Sequence, residues 1–267
     1  MATETNKEKT KVSVITITFN DRDGLAKTID SVARQTYNNI EYIIIDGGSK
    51  DGSIELIKEN EKIISSWCSE PDKGIYNAMN KGVEKMTGDW CLFMNSGDSF
   101  YDERAIEWFV NAEKTQNTAL VYGDTCLVFE PYGVVNRRLG VLKGQAQTGI
   151  CHQSSFIRCD VMKKYKYDES YKIVADVNFF QTLLNNGFDF SYLPQITSRF
   201  DAFGGVSSKP SFKIMNEYNR AWGVTKYSPR YVRDLLKYAL KILGRLILPV
   251  ETRKRMMYKK LKKRFEK

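Results

Sequence analysis

The sequence contains a single histidine, and its five cysteines form neither a CxxC pair nor the spacing of a zinc site. An odd number of scattered cysteines favours buried thiols in a reducing compartment and argues against a disulfide framework. The first eleven residues are polar and include no apolar stretch. We therefore expect no signal peptide and a disordered start over residues 1–10.

A strong charge of one sign is also absent from most of the chain. The net charge is +9, but residues 251–267 hold nine Lys and Arg against two Glu, which leaves +2 for the remainder. With 42% hydrophobic and 27% charged residues among 267, the composition is that of a globular protein with one α/β domain and an appendage. A basic tail on a nearly neutral body predicts that the tail alone meets an anionic surface.

The first half of the sequence begins with the pattern of a β-α-β unit. Residues 12–19 are almost all β-branched or apolar, an amphipathic helical pattern follows, and residues 40–45 form a second apolar run. We predict parallel strands. The glycines after the second strand do not match GxGxxG, which excludes the dinucleotide fingerprint. Asp46 at that strand end suits the base or ribose of a nucleoside; the alternative is that Asp46 and Ser49 cap the next helix.

The first half contains two more polar loops, one before a predicted helix and one after a predicted strand. The segment SEPDKG precedes a helix predicted over residues 75–86, whose N-terminus could hold a phosphate or a sugar hydroxyl. The apolar residues 90–94 predict a buried strand, which runs into the turn NSGD and so ends in Asp98. A carboxylate at the carboxyl end of a parallel strand suits a divalent cation, although these residue types also form plain turns.

The second half is less regular. Strands are predicted over residues 120–124, 126–129 and 150–157, and the last of these contains His152. Residues 137–149 are rich in glycine without a clean period, so we predict a loop that closes over an active site. A lone histidine is either a structural hydrogen-bonding residue or part of the site, and both interpretations stay open.

Four motifs in order carry a resemblance to a known family: TFN at 18–20, DGGSKDG at 46–52, SEPDKGIYNAMNKG at 69–82 and FMNSGD at 93–98. They resemble the family 2 glycosyltransferases and are similar to bacterial colanic acid and exopolysaccharide enzymes. The resemblance implies a GT-A fold, an α/β architecture with a Rossmann-like, mostly parallel central sheet flanked by helices. It also implies an inverting transfer from a nucleotide-diphosphate sugar, usually a UDP-sugar, with Mn²⁺ or Mg²⁺.

The resemblance also assigns roles to residues. The family's DxD carboxylates correspond here to Asn95 and Gly97, so we expect weak metal binding without donor. The general base falls on Asp176, where the family pattern E-D-x-D-x-x-x-R-L is otherwise poorly kept and where an N-cap is the alternative. The remaining expectations are a metal ligand at Asp98, acceptor contacts at His152 and Gln153, and donor contacts at Thr18, Phe19, Asn20, Asp46, Glu70, Asp72, Lys73 and Asn95.

The C-terminal part predicts a basic amphipathic helix over residues 231–250. Lys237, Lys241 and Arg245 would together cost about 9 kcal/mol in a bilayer span, so the helix is not expected to cross a membrane. It suits an anionic membrane surface. The alternatives are packing on the catalytic domain or self-association, which leaves a homo-oligomer open. No motif supports binding to nucleic acid.

Together these features predict a catalytic GT-A domain over residues 11–206 and a helical basic extension over 207–267. Within the domain, 11–110 forms the nucleotide-sugar half and 111–206 the acceptor half. The expected activity is sugar transfer to a lipid-linked or polysaccharide acceptor by a cytoplasmic protein on the inner face of the plasma membrane. The alternative is a non-catalytic nucleotide-sugar or membrane-surface binding protein on the same scaffold.

Overall fold

A computed structural model describes residues 10–144, 149–203, 205 and 209–266. In chain order these residues form β1 (Val12–Thr18), α1 (Arg22–Ala33), β2 (Ile40–Asp46), α2 (Ser53–Glu59), β3 (Ser66–Ser69), α3 (Ile75–Lys85), β4 (Trp90–Phe93), β5 (Ser99–Phe100), α4 (Ala105–Asn111), β6 (Thr118–Phe129), β7 (Gly133–Arg137), β8 (Ser155–Arg158), α5 (Cys159–Tyr165), α6 (Ala175–Asn185), β9 (Asp189–Asp201), α7 (Phe212–Ala221), α8 (Pro229–Ile247) and α9 (Val250–Phe265). Apart from Thr10, the predicted disordered start lies outside the described residues.

The first half of the sheet is parallel, as predicted. Its strands lie in the order β3-β2-β1-β4, and every pairing among them is parallel. Successive residues of β1 point to opposite faces, so Ile15 packs in the cluster that contains Met79 and Val83 of α3. Val14 packs in the other cluster, with Leu25 of α1. Both faces are covered by helices, which explains why all residues of β1 except Ile17 are buried.

Beyond β4 the sheet is mixed. β8 pairs antiparallel with both β4 and β6, β9 runs parallel to β6, and β5 and β7 are antiparallel additions. Because β8 runs opposite to β4, the residues that precede β8 lie at the edge where β4 ends. This topology brings residues around 152 to the turn after β4.

Two element predictions needed correction. The strand predicted over 150–157 is wrong in its first part, because His152–Ser154 form a 3-10 turn and β8 begins only at Ser155. Ser154 N–H and Ser155 Oγ both donate to Cys151 O, at 3.1 and 2.8 Å, and such local bonds compete with strand pairing. The two strands predicted at 120–129 are one strand, β6, with register shifts around Asp124.

The C-terminal helices differ in how they contact the sheet. α9 packs against the β6–β7 hairpin through Met257, Tyr258, Leu261 and Phe265. α8 contains no buried residue. The helix predicted over 231–250 is confirmed, with a start at Pro229 after the capping Ser228. No helix among the described residues is long and apolar enough to cross a membrane.

Candidate active site

The polar loops predicted to bind a ligand do meet at one edge of the sheet. β1, β2, β3 and β4 run parallel, so their carboxyl ends share an edge. Hydrogen bonds tie the loops to one another there: Asn20 N–H donates to Ser49 Oγ at 2.7 Å and Ser96 Oγ donates to Asp21 Oδ2 at 2.7 Å. Asn20 Oδ1 also accepts from Lys50 N–H at 2.9 Å.

Asp46 is fully buried, and donors from the surrounding loops occupy its carboxylate. Gly48 N–H and Ser49 N–H donate to Oδ2 at 3.1 and 2.9 Å, and the hydroxyls of Ser49 and Ser69 donate as well. Asp46 therefore holds the loops after β2 and β3 in place. The alternative that Asp46 and Ser49 cap the next helix is wrong, because the N-cap of α2 is Gly52 and no side chain caps it. The contact of Asp46 with a nucleoside stays a prediction.

Phe19 and Asp72 face each other across Gly47. A Cβ at Gly47 would lie 2.7 Å from Asp72 Oδ2 and 3.1 Å from Phe19 Cδ2, so only glycine leaves this approach open. Phe19 is 61% exposed, which is costly for an aromatic side chain without a ligand. Next to it, Thr18 Oγ1 is buried without a hydrogen-bond partner among the described residues. An exposed ring beside unused polar atoms suits a planar base and its ribose.

The segment before α3 contains three of the predicted donor contacts, Glu70, Asp72 and Lys73. Glu70 is paired with Lys81 at 2.7 Å, while Asp72 Oδ1 accepts from Gly74 N–H at 2.7 Å. Lys73 is exposed and is therefore a cation available to an anionic ligand. All three lie on the loop that joins β3 to α3, at the sheet edge described above.

The turn after β4 is fixed by α1. Thr28 Oγ1 donates to Asp98 O at 2.7 Å and accepts from Gly97 N–H at 3.1 Å. Lys27 Nζ donates to Gly97 O at 2.8 Å. Gly97 has φ +89°, a backbone conformation that side chains with a Cβ rarely adopt. The direction of Asp98 is thus set by the backbone and by two side chains of α1.

The Asp98 side chain is held in a poorly solvated place. Gln153 Nε2 donates to Asp98 Oδ2 at 3.0 Å. Burial raises the pKa of Asp98 to about 6, against the opposing effects of the Gln153 hydrogen bond and of nearby His152 and Lys27. A buried carboxylate that pays a desolvation cost in the unliganded protein is a frequent feature of functional sites.

Asn95, His152 and Asp176 form a chain of side-chain contacts. Asn95 Nδ2 lies 3.1 Å from His152 Nε2, and His152 Nδ1 lies 3.3 Å from Asp176 Oδ2. An amide nitrogen is only a donor, so Nε2 accepts and the proton of the neutral ring is on Nδ1, facing the carboxylate. The hydroxyl of Tyr76 lies 3.3 Å from Asp176 Oδ1 and donates to Ile173 O at 2.6 Å. The Asp176 side chain is 18% exposed.

Glu217 of α7 holds the start of the helix that contains Asp176. Its buried carboxylate accepts from the N–H groups of Lys172 at 3.0 Å, Ile173 at 2.9 Å and Val174 at 3.3 Å. Val174 is the N-cap of α6 and provides no side-chain cap of its own. Asp176 is therefore not the N-cap, and its carboxylate bonds only the adjacent Val177 N–H within α6.

The family of this chain is identified by a match to a family model. Residues 13–168 match the model of Glycosyl transferase family 2, a span of more than half the chain. This chain belongs to glycosyl transferase family 2.

Two solved structures show the fold. S. aureus TarS (fragment 1–349) in complex with UDP-GlcNAc superposes with a TM-score of 0.65 at 14% identity, covering 91% of this chain and 77% of that one. The mannosyltransferase PcManGT from Pyrobaculum calidifontis, in complex with GDP-Man and Mn²⁺, gives 0.61 at 12%, covering 86% and 69%. The predicted GT-A fold is confirmed.

Among sequence relatives, the PGL/p-HBAD biosynthesis glycosyltransferase of Mycobacterium bovis is 29% identical over 214 residues, 73% of this chain and 78% of that protein. An uncharacterized glycosyltransferase of Mycobacterium tuberculosis is 49% identical over 90 residues. That match spans about a third of each protein, 33% of this chain and 34% of the relative.

The residues at the turn fit a metal ion only in part. The described residues contain no group of three or more His, Cys, Asp or Glu able to hold one. The Asp98 carboxylate is accompanied by Asn95 Oδ1, a buried oxygen without a partner among the described residues. Two oxygens suit one side of a Mg²⁺ or Mn²⁺ shell, with most ligands left to a bound diphosphate. Weak metal binding without donor stays a prediction.

Tyr76 and Glu217 belong to the site, although sequence reasoning missed both. Tyr76 lies on α3 and reaches Asp176 across 100 positions of the chain. Glu217 lies in the segment that was assigned to the extension. Nothing in the local pattern of either residue signals its role; the burial of a charged residue on α7 becomes visible only when the helices are packed. Part of the predicted closing loop, residues 145–148, lies outside the described residues.

Proposed function

We propose that this family 2 member transfers a sugar from a nucleotide-diphosphate sugar to an acceptor hydroxyl with inversion, and that Asp176 is the general base. The observation behind the proposal is the position of the Asp176 carboxylate. It is partly exposed, held by His152 at 3.3 Å, and linked through Asn95 to the turn that contains Asp98. A base beside a turn that contains an acidic residue suits the direct displacement of a nucleoside diphosphate from the anomeric carbon by the acceptor hydroxyl.

The proton follows a short route in this proposal. The acceptor hydroxyl gives its proton to Asp176 as its oxygen attacks the anomeric carbon. His152 does not take that proton; its Nδ1–H steadies Asp176 Oδ2, and Asn95 keeps Nε2 as an acceptor so that the tautomer is fixed. The bond to the nucleoside diphosphate breaks in the same step, so the product has the opposite anomeric configuration.

Charge on the departing diphosphate must also be balanced. Asp98 and Asn95 would hold Mn²⁺ or Mg²⁺ together with the donor's phosphates, and the ion when bound would neutralise charge on the leaving group. Lys73, exposed on the loop before α3, is a candidate for an additional cation. We include metal dependence in the proposal on the strength of Asp98 and the unused oxygen of Asn95.

We propose a UDP-sugar of the hexose or N-acetylhexosamine type as donor. Support comes from the exposed Phe19 ring with Asp72 opposite it, and from the likeness in fold to TarS in its UDP and UDP-GlcNAc complexes. In this arrangement the nucleoside contacts Thr18, Phe19 and Asn20, and the loop that follows Asp46 lines the same part of the site.

For the acceptor we propose a lipid-linked or polysaccharide glycan of the cell surface. The relative from Mycobacterium bovis is named for PGL/p-HBAD biosynthesis. His152 and Gln153 stand on the acceptor side, next to Asp176 and Asp98 respectively. The basic residues of 231–267 support peripheral attachment to an anionic membrane, which we place at the inner face of the plasma membrane.

Donor turnover tests this proposal against a non-catalytic binding protein, which the missing DxD carboxylates motivate. Purified protein is incubated with UDP-GlcNAc, UDP-Glc or UDP-Gal and Mn²⁺, with and without glycan acceptors, and released UDP is measured. We expect UDP release that rises with acceptor and falls when Mn²⁺ is chelated. Tight donor binding without any release of UDP would instead establish the binding protein.

A further inference from the structure

α8 presents an apolar face that no part of the described chain covers. Its apolar side chains recur every three or four residues, which places them on one side of the helix. Their exposure lies between 38% and 79%, for Val232, Leu235, Leu236, Leu240, Leu243, Leu246 and Ile247. Soluble monomers rarely expose so large a contiguous apolar surface, so this face needs an occupant.

α9 does not share this property, although it belongs to the same basic extension. Its apolar side chains are used within the molecule: the Tyr258 ring packs at 5.9 Å from that of Phe129, and Leu261 and Phe265 contact the same cluster. Glu266 Oε1 accepts from Asn136 N–H at 3.1 Å. α9 therefore anchors the extension to the β6–β7 hairpin and leaves α8 as the free amphipathic element.

Charge identifies the kind of surface that α8 meets. The helix contains five Lys and Arg against the single Asp234, and four of them recur every four residues on the side away from the leucines. Partial burial and the charges of Lys260 and Lys237 lower the pKa of Lys241, which shows that cations crowd one another here. A second copy of α8 would add like charges, whereas anionic lipid head groups neutralise them.

α7 connects α8 with the segment that holds the proposed base. Tyr231 OH donates to Asn216 Oδ1 at 3.3 Å, which ties α8 to α7. Glu217, also on α7, accepts from Val174 N–H at 3.3 Å, two residues before Asp176. A bilayer that received α8 would therefore approach the acceptor side of the site.

We propose that α8 lies in the surface of an anionic bilayer with its leucine face inserted, and that the acceptor is consequently a membrane amphiphile whose hydroxyl reaches Asp176 from that surface. Both halves of this inference rest on the proposed function, which already includes membrane attachment; the membrane half does not depend on catalysis. Lys and Arg stems are long enough to reach head groups from the sides of such a helix.

Vesicle binding tests the membrane half. Full-length protein is sedimented with vesicles of phosphatidylcholine alone or with 30% phosphatidylglycerol. We expect binding to the anionic vesicles that weakens with salt, and at least tenfold weaker partition for the triple variant Leu236→Ser, Leu240→Ser, Leu243→Ser. The matched control, Ile63→Ser with Tyr101→Ser, removes exposed apolar groups outside the extension and should bind like wild type.

Two results would overturn the membrane half. One is equal vesicle binding by the triple variant and wild type. The other is a wild-type protein that forms a dimer in solution and does not bind vesicles, together with a triple variant that is monomeric. A second copy of the chain would then occupy the apolar face of α8. All substituted side chains are exposed, so circular dichroism and melting temperature should be unchanged.

The acceptor half is tested with pairs of glycosides that have the same sugar on a methyl group or on a hexadecyl chain placed in anionic vesicles. We expect wild type to use the vesicle-borne acceptor at least tenfold faster at equal bulk concentration, and the triple variant to lose that advantage while its rate on the methyl glycoside is unchanged. An equal preference in wild type and triple variant would refute a membrane acceptor. If no acceptor is used and no UDP is released, the proposed function is wrong. The vesicle-binding result still decides the membrane half, because it does not depend on turnover.

Discussion

The contact between Glu217 and the start of α6 predicts that a residue remote in sequence controls the position of Asp176, the proposed base. Glu217→Ala removes the acceptor for three N–H groups, at distances of 2.9 to 3.3 Å. A hydrogen bond to a charged group contributes about 1.5–3 kcal/mol, and water can replace part of that at a helix end. We therefore expect a loss of about 2–4 kcal/mol in the free energy of unfolding.

In thermal melts this corresponds to a drop of roughly 5–10 °C for a chain of this size. The effect on turnover should be larger than the effect on donor affinity, because Asp176 lies two residues beyond the capped segment, and a displacement of about 1 Å at a base can lower the rate about 100-fold. Glu217→Gln keeps one acceptor oxygen and should fall between wild type and Glu217→Ala.

The assay measures kcat and KM for UDP release with acceptor, beside melting temperature. Glu55→Ala is the matched control, because Glu55 also lies on a helix but is exposed. If Glu217→Ala kept both the wild-type melting temperature and the wild-type kcat, the cap would have no role in holding the base, and the reasoning would be wrong.

Three further predictions follow from the same structure. Asp98→Asn should abolish transfer yet raise the melting temperature at pH 7.5, because it removes about 1–2 kcal/mol of desolvation cost. Burial raises the pKa of Asp98 to about 6. The gain in stability should therefore vanish near pH 4, where the native carboxyl is already protonated. Phe19→Ala should raise KM for the donor about tenfold through lost stacking without lowering stability, as titration and melts can show. Against the opposing effect of burial, hydrogen bonds from Ser13, Thr87 and Lys11 lower the pKa of Glu41 to about 2. Glu41→Gln should therefore lower the free energy of unfolding by about 2 kcal/mol at pH 7. Denaturant unfolding should show that this difference shrinks as the pH falls from about 4.5 to 2.

The parallel half of the fold could be predicted because its signals are local. β1 and β2 are uninterrupted apolar runs joined by one amphipathic helix, and a crossover of this kind has only one common hand. The turn ending at Asp98 follows from the same logic, since strand ends in a parallel sheet share an edge. Local pattern thus led to the donor edge of the site.

The acceptor side could not be predicted in the same way. β9, Asp189–Asp201, alternates poorly and contains Pro194, so its pairing with β6 depends on partners far along the chain. The 3-10 turn that presents His152 looks like a strand in sequence, and its conformation is decided by serine bonds to Cys151. The division of the chain at residue 206 stays a prediction, because α7 contributes Glu217 to the packing around Asp176.

The central claim is that Asp176 removes the proton of the acceptor hydroxyl. Its most direct test is the transfer rate of Asp176→Asn, measured as sugar added to acceptor, together with the donor Kd from calorimetry. The account predicts a fall in kcat of about 10²–10⁴-fold with the donor Kd within about twofold of wild type. A variant that transferred sugar at the wild-type rate, or that lost donor binding along with its activity, would contradict it.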